Sequence, residues 1–270
     1  MKAIRYGFLT VVAAIWLIPT YLLVINAIQP VDSYDGDHVW RLPHSFALLD
    51  NMKSAWNDAG LGPSIGSTVL YSLLSPVLGV FIGALAGFAI TVLRLRHGFV
   101  WFIVIYGGTI FPTQMLLVPL FTKYSQFNLY DTRQGLILVY TAVCVPLAGF
   151  VMRNFFSGIA YSIYEAAVVD GASVWRIFWR VYLPLAWTAF AAIFILEFTF
   201  VWNDLLFGLT LSQSDSVRPV MTALSSLQSA YSGKAVPELL AGGLLVSLPT
   251  VLLFLLTQRL FSRGLTLAQM

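Results

Sequence analysis

The sequence predicts an all-α integral membrane protein: six transmembrane helices, with a cytoplasmic helix-turn-helix loop between the fourth and the fifth. Three observations predict it. Six apolar stretches each approach or exceed the about 20 residues that cross a hydrocarbon core. Charged residues make up only 10% of the chain, against about 25% in an ordinary soluble domain. One charged segment of helical periodicity, EAAVVDGASVWRIFWRVYLP (Glu165 to Pro184), separates two of the long apolar runs. A mean hydropathy of +0.82 excludes an ordinary soluble fold, and it turns a pI near 9.0 into a topology signal. Membrane lipid is the expected surrounding, and nucleic acid is not an expected partner.

Each element can be justified in order. The first stretch, 8–28, is an uncharged run of 21 residues. It outruns the 7–15-residue core of a signal peptide, and no A-x-A sequence follows it, so it reads as a retained span. The second, 64–93, places Ser75, Gly79, Gly83 and Gly87 at every fourth position. Such a ridge lets two helix backbones approach closely in lipid, the partner being either a second subunit or another helix of the same chain. The third, 99–121, follows the short basic turn Arg94-Leu95-Arg96-His97. The fourth, 135–152, contains Cys144, the single cysteine, which reads as a small buried hydrophobe and can form no intrachain disulfide. The fifth, 185–207, starts behind Pro184, whose missing N–H is harmless in a first helical turn. The sixth is 239–256. Pro19, Pro76, Pro112 with Pro119, Pro146 and Pro249, and the pairs Gly107-Gly108 and Gly242-Gly243, mark weak points along these helices.

An even number of spans puts both termini on one side. The segments 1–7, 94–98, 153–184 and 257–270 hold nine Lys or Arg in 58 positions, whereas 29–63, 122–134 and 208–238 hold six in 79. The more basic side is the cytoplasmic one by the positive-inside rule. Both termini and the loop 153–184 are therefore expected in the cytoplasm. Several functions lack their signatures. No G-x-x-x-x-G-K-[ST] loop occurs, because Gly233-Lys234 has the wrong spacing and is followed by Ala. His38, His44 and His97 all fall in loops, and neither H-E-x-x-H nor a G-x-S-x-G elbow is present. No metal site and no enzyme activity are expected.

Within the charged segment, Ile159, Ile163 and Ala166 or Ala167 recur at helical spacing, as do Val174, Ile177 or Phe178 and Val181. Gly171 suits the reversal between two helices because it takes positive φ without a Cβ clash. Two short amphipathic helices joined at Asp170-Gly171 are the result, with Trp175 and Trp179 at headgroup level. On periodicity alone the hairpin could lie on the membrane without a partner.

Glu165-Ala166-Ala167, Asp170-Gly171-Ala172-Ser173 and Leu183-Pro184-Leu185 resemble the EAA loop of ATP-binding-cassette importer permeases. The resemblance extends along the chain through Phe111-Pro112, Pro119-Leu120-Phe121, Leu129-Tyr130-Asp131-Thr132 with Gly135-Leu136-Ile137, Trp202-Asn203-Asp204, Leu248-Pro249 and Gly264-Leu265-Thr266. Together they are similar to the maltose-permease-like class of carbohydrate importers. The pattern departs at Ile159-Ala160-Tyr161 and near Thr188, where prolines are usual, and at Leu267-Ala268-Gln269-Met270, where relatives carry a glycine and a basic tail.

The resemblance implies a division of labour. Residues 1–63 would be a first helix and extracytoplasmic loop, and 64–270 a five-helix permease core. A second homologous permease subunit would complete the pore. Two ATPase subunits, which bind the ATP and Mg, would dock on the loop through Glu165, Ala166, Ala167, Asp170 and Gly171. An extracytoplasmic solute-binding protein would deliver the solute, and the complex would lie in the cell inner membrane. An ATPase-independent secondary transporter and an importer of a different solute are the rival readings.

Glu197 stands 12 residues past Leu185, about 18 Å along an ideal helix and thus beyond the middle of the bilayer. An ionisable group there costs at least about 2.5 kcal/mol and marks a pathway or a buried pair. Glu197, Phe200, Val201 and Asp204 share one helical face, with Asn203 at its edge. Carboxylates and an amide suit sugar hydroxyls, and a ring suits the apolar C–H face of a sugar. Glu197, Phe200, Asn203 and Asp204 are thus candidate contacts along the solute path. The alternative is structural: Glu197 bonded to a Ser, Thr or Arg of another helix, or protonated.

Overall fold

A computed structural model describes the backbone of residues 2–230 and 236–267, and the side chains of those residues except 3, 229–230 and 259–267. Gly233-Lys234 and Ala268–Met270 lie outside the described residues, as do the side chains of Gly264-Leu265-Thr266. The described elements are helical: α1 (Lys2–Ile28), α2 (Leu48–Asp58), α3 (Leu61–Thr91), α4 (Gly98–Gly107), α5 (Thr113–Gln126), α6 (Arg133–Ser157), α7 (Ser162–Val169), α8 (Val174–Ile177), α9 (Leu183–Leu185), α10 (Trp187–Trp202), α11 (Leu206–Leu211), α12 (Val220–Ala230) and α13 (Val236–Leu267). A π-helical turn, Phe178–Tyr182, joins α8 to α9.

Among the described residues, four helices are each long and apolar enough to cross a membrane, and a fifth crossing forms if the bent pair 174–185 and 187–202 counts as one. The described helices thus account for four or five crossings of the six expected. The third expected span, 99–121, is not one helix. It breaks between Gly107 and Thr113. Pro112 disfavours helical backbone at Phe111 and caps α5, while the N–H groups of Thr109 and Ile110 close tight turns onto Tyr106 and Gly107. Pro19, Pro76, Pro146 and Pro249, by contrast, sit inside continuous helices. The fifth expected span begins at Trp187 rather than behind Pro184. Lacking an N–H, Pro184 cannot bond the carbonyl four residues back; the chain widens into the π-turn and bends by 73° before α10.

The chain divides into two compact units. The first comprises Met1–Ile65 and Val220–Pro249. In it, the buried carboxamide of Asn51 donates to the carbonyls of Ala27 and Gln29, each at 2.8 Å. Asn26 and Gln29 donate to Val39 and Arg41 in the loop behind α1. A Cβ on Gly242 would come within 2.7 Å of Cδ1 of Leu224 and 3.1 Å of Cβ of Ala55, so a larger residue there needs the Leu224 side chain to shift.

The second unit, Gly66–Pro219 and Thr250–Met270, carries the candidate sites. The small-residue ridge of α3 packs against α6 of the same chain. A Cβ on Gly79 would stand 2.5 Å from Cβ of Cys144, one on Gly83 2.6 Å from the nitrogen of Gly149, and one on Gly87 2.7 Å from the nitrogen of Arg153. The Ser75 hydroxyl donates to the carbonyl of Ile137 at 3.3 Å. With no room for a side chain between the backbones, the ridge serves this chain's own packing.

Candidate functional site

The charged loop folds as a hairpin with two unlike faces. α7 ends in a paired cap: the N–H of Ala172 donates to the carbonyl of Ala167 at 3.0 Å and that of Gly171 to Val168 at 2.9 Å. This closure requires a residue in the left-handed region after the cap, and Gly171 supplies it at φ +75°. Ser173 then starts α8 by accepting from the N–H of Arg176. On the inner face, Phe178 and Tyr182 are buried with Phe88 of α3 and Phe156 of α6. Ring centroids lie 5.3 Å apart for Phe88–Phe178, 5.1 Å for Phe88–Tyr182 and 5.8 Å for Phe156–Tyr182. Edge-on aromatic pairs of this kind add about 0.5–1.5 kcal/mol each beyond burial.

The outer face has no such engagement. Glu165, Ala166 and Asp170 are exposed, and Val169 is 86% exposed. Ala167 is half-buried and packs inward with Tyr164 and Ala172. The five residues expected to couple thus divide into an outward set (Glu165, Ala166, Asp170), an inward packing residue (Ala167) and the turn (Gly171). Glu165 lies in the first turn of α7, where the helix dipole also favours its charge.

Glu197 is buried within α10, 3% exposed, and both carboxylate oxygens are without a hydrogen-bond partner. The Cys144 thiol, a weak donor, lies beside it. With Phe200, Glu197 borders a cavity of about 220 Å³ at the break between α4 and α5, lined also by Gly108, Thr109 and Cys144. Phe200 is 47% exposed. Asn203 and Asp204 lie outside that lining. The Asn203 amide donates to the carbonyl of Thr199 at 2.8 Å. Asp204 accepts from the Tyr140 hydroxyl at 2.8 Å and from the N–H groups of Phe207 and Gly208, capping α11. The structure brings Glu197 and Phe200 together and separates them from the other two.

One carboxylate with a large structural role was legible only as part of a motif. Asp131, held at φ +54°, accepts from the N–H groups of Gln213 and Ser214 at 2.8 and 2.9 Å and from the Ser214 hydroxyl. Its partial burial pushes the carboxyl up, but these donors outweigh that and hold it below the usual carboxylate value. Nearby, Arg133 and Ser67 donate to the carbonyl of Ser216. Among the described residues no three His, Cys, Asp or Glu side chains gather as metal ligands would.

Comparison with known proteins identifies the frame that these features belong to. A family model described as "Binding-protein-dependent transport system inner membrane component" matches residues 79–267. A diacetylchitobiose uptake system permease protein of Streptomyces coelicolor is 29% identical over 261 residues, 95% of this chain and 82% of that protein. A trehalose transport system permease protein of Mycobacterium tuberculosis is 29% identical over 264 residues, 95% of this chain and 93% of that protein. A chain of the crystal structure of a bacterial ABC transporter that imports alginate superposes with a TM-score of 0.76 over 96% of this chain and 95% of that one; at 23% identity the likeness is one of fold. The family match runs from the glycine ridge of α3 through the hairpin and the Glu197 cavity into α13, and on it the chain belongs to the inner membrane components of binding-protein-dependent transport systems.

Proposed function

We propose that this transport subunit forms one half of the translocation pathway of a carbohydrate importer. A second homologous permease completes the path. Two ATPase subunits supply the bound ATP and Mg, and an extracytoplasmic solute-binding protein supplies the solute. The relatives named for diacetylchitobiose and trehalose support the substrate class. A structural neighbour described as an alginate ABC transporter in complex with a pentasaccharide-bound periplasmic protein supports the binding-protein partner.

The observation that carries the reading is the two-faced hairpin. Its inner face is locked by Phe178 and Tyr182 into α3 and α6, while its outer face presents Glu165, Ala166, Val169 and Asp170 to a partner. A hairpin so fixed moves with the helices it grips, so an ATPase seated on the outer face pulls on the transmembrane bundle. The denser basic charge on the side of the hairpin supports a cytoplasmic position for that face and for both termini. Glu197 and Phe200 meet the solute, the carboxylate accepting from sugar hydroxyls and the ring lying against C–H groups.

Glu165→Lys reverses charge at the docking face, and Gly171→Val puts a β-branched residue at positive φ. A Cβ on Gly171 would meet nothing within 4 Å, so the harm comes from the backbone alone. Expressed with its partner subunits, the Val variant is expected to lose most sugar uptake in proteoliposomes, and the Lys variant to hydrolyse ATP without proportionate uptake. Reporters fused after Gly98 and after Val31 should report the ATPase side and the opposite side respectively. Wild-type uptake by both assembled variants, or reversed reporters, would sink the docking assignment.

A further inference from the structure

At the hairpin end of the second unit lies a cavity of about 500 Å³, between the end of α3, the start of α4, the end of α6 and the segment leading into α7. Its size is within the range of small-molecule sites, about 300–1,000 Å³. Two guanidinium groups line it, and no carboxylate does. Arg94 is held at φ +50° in the tight turn after α3, with its guanidinium carbon 3.7 Å from the centroid of the Tyr161 ring. Arg153 sits 4.9 Å from the centroid of the Phe102 ring and gives one donor to Asn154. Its Nε is buried with no hydrogen-bond partner. Neither arginine belongs to an ion pair among the described residues.

Stacking on rings leaves the in-plane N–H groups of a guanidinium free for an anion. Two arginines lining a cavity that holds no carboxylate suit an anionic acceptor, which their terminal N–H groups can bond. The rim says which kind. Phe99, 73% exposed, lines the cavity at the first turn of α4, and Trp101 beside it is 53% exposed. Exposed aromatics at the end of an apolar helix mark headgroup depth. We propose that this cavity binds the phosphate of an anionic phospholipid, with Arg94 and Arg153 on the phosphate and an acyl chain along Phe99 and the apolar surface of α4.

Native mass spectrometry of the assembled complex, given equal amounts of phosphatidylglycerol and phosphatidylcholine with matched chains, tests this. Phosphatidylglycerol should be retained preferentially. Arg94→Gln and Arg153→Gln should each reduce that preference roughly fivefold, the worth of one basic residue at an anionic surface. Arg153→Lys should keep most of it. Arg96→Gln changes the same turn outside the cavity lining and should leave the preference intact. Equal retention of the two lipids overturns the proposal, as does an Arg96→Gln effect as large as that of Arg94→Gln, which would indicate diffuse surface charge. Displacement of phosphatidylglycerol by millimolar inorganic phosphate also overturns it, in favour of a site for small soluble anions.

Discussion

Glu197 and Asp204 stand seven residues apart on one stripe of the sequence, and the protein treats the two carboxylates in opposite ways. Asp204, just beyond the end of α10, takes the Tyr140 hydroxyl and two N–H groups of α11. Glu197, inside α10, is buried beside a cavity and has nothing stronger than the weak thiol of Cys144 beside it. A buried carboxylate with every lone pair engaged is part of the fold. One left without strong partners burdens the fold, as the proposed contact with a solute in the cavity would lead one to expect. Spacing alone cannot separate these cases, because the face of a helix does not say what packs upon it.

The largest effect should come from Asp204→Ala. It strands the fully buried Tyr140 hydroxyl and removes the acceptors at the start of α11. An orphaned buried donor costs about 1–3 kcal/mol and a lost cap about 1 kcal/mol. Asp204→Ala should therefore lower the thermal unfolding midpoint and the yield of assembled protein, and Asp204→Asn should restore most of both. An alanine variant that melts with the wild type would erase the contrast with Glu197.

Glu197→Leu sharpens the same contrast from the other side. It forfeits at most the weak contact with the Cys144 thiol, so the unfolding midpoint should hold or rise, while uptake falls several-fold or the solute preference changes. Glu197→Gln, which keeps shape and hydrogen-bonding capacity, should lie between wild type and Leu in transport. If Leu leaves uptake and solute choice untouched, the cavity is off the path. Early melting of the Leu variant would instead reveal a structural partner for the carboxylate.

Local signals in the sequence were enough for the hairpin and the glycine ridge. Gly171 could be assigned to a reversal because only the residues beside it decide its φ, and the period of Ser75, Gly79, Gly83 and Gly87 was enough to require a close helix neighbour. Which neighbour it was lay beyond the sequence, since α6 meets the ridge some 60 residues later. The break in the third expected span was hidden for a different reason. Residues 99–121 are apolar almost throughout, and hydropathy does not distinguish one long helix from two short ones. Arg94 and Arg153 were legible only as topology charges, because their cavity forms where the turn between α3 and α4 meets the end of α6, far along the chain. Asp131 stood out as one letter of a motif; its donors come from Gln213 and Ser214, 82 and 83 residues away.

Asp131 also supplies the smallest and most specific prediction. Like Asp204 it is a carboxylate saturated with donors, but it sits outside the spans, where protons reach it freely. Its pKa lies below the unfolded value, near 3.9 for an ordinary Asp, because the Ser214 hydroxyl and two N–H groups outweigh the upward push of partial burial. The sign follows from proton linkage: the unfolded state binds the proton first. The stabilisation from the ionised form is therefore complete above the unfolded value and is lost as pH falls through the depressed native one. Asp131→Asn removes the titration while keeping a residue type that tolerates the positive φ found there. The wild type should out-melt the Asn variant by a small, constant margin at pH 6 to 7, and the margin should shrink as pH drops below about 4. Partial exposure and screening keep the effect modest. A margin that stays flat down to the lowest pH at which the protein remains folded, or that widens on acidification, would show that the donors around Asp131 do not prefer its charge.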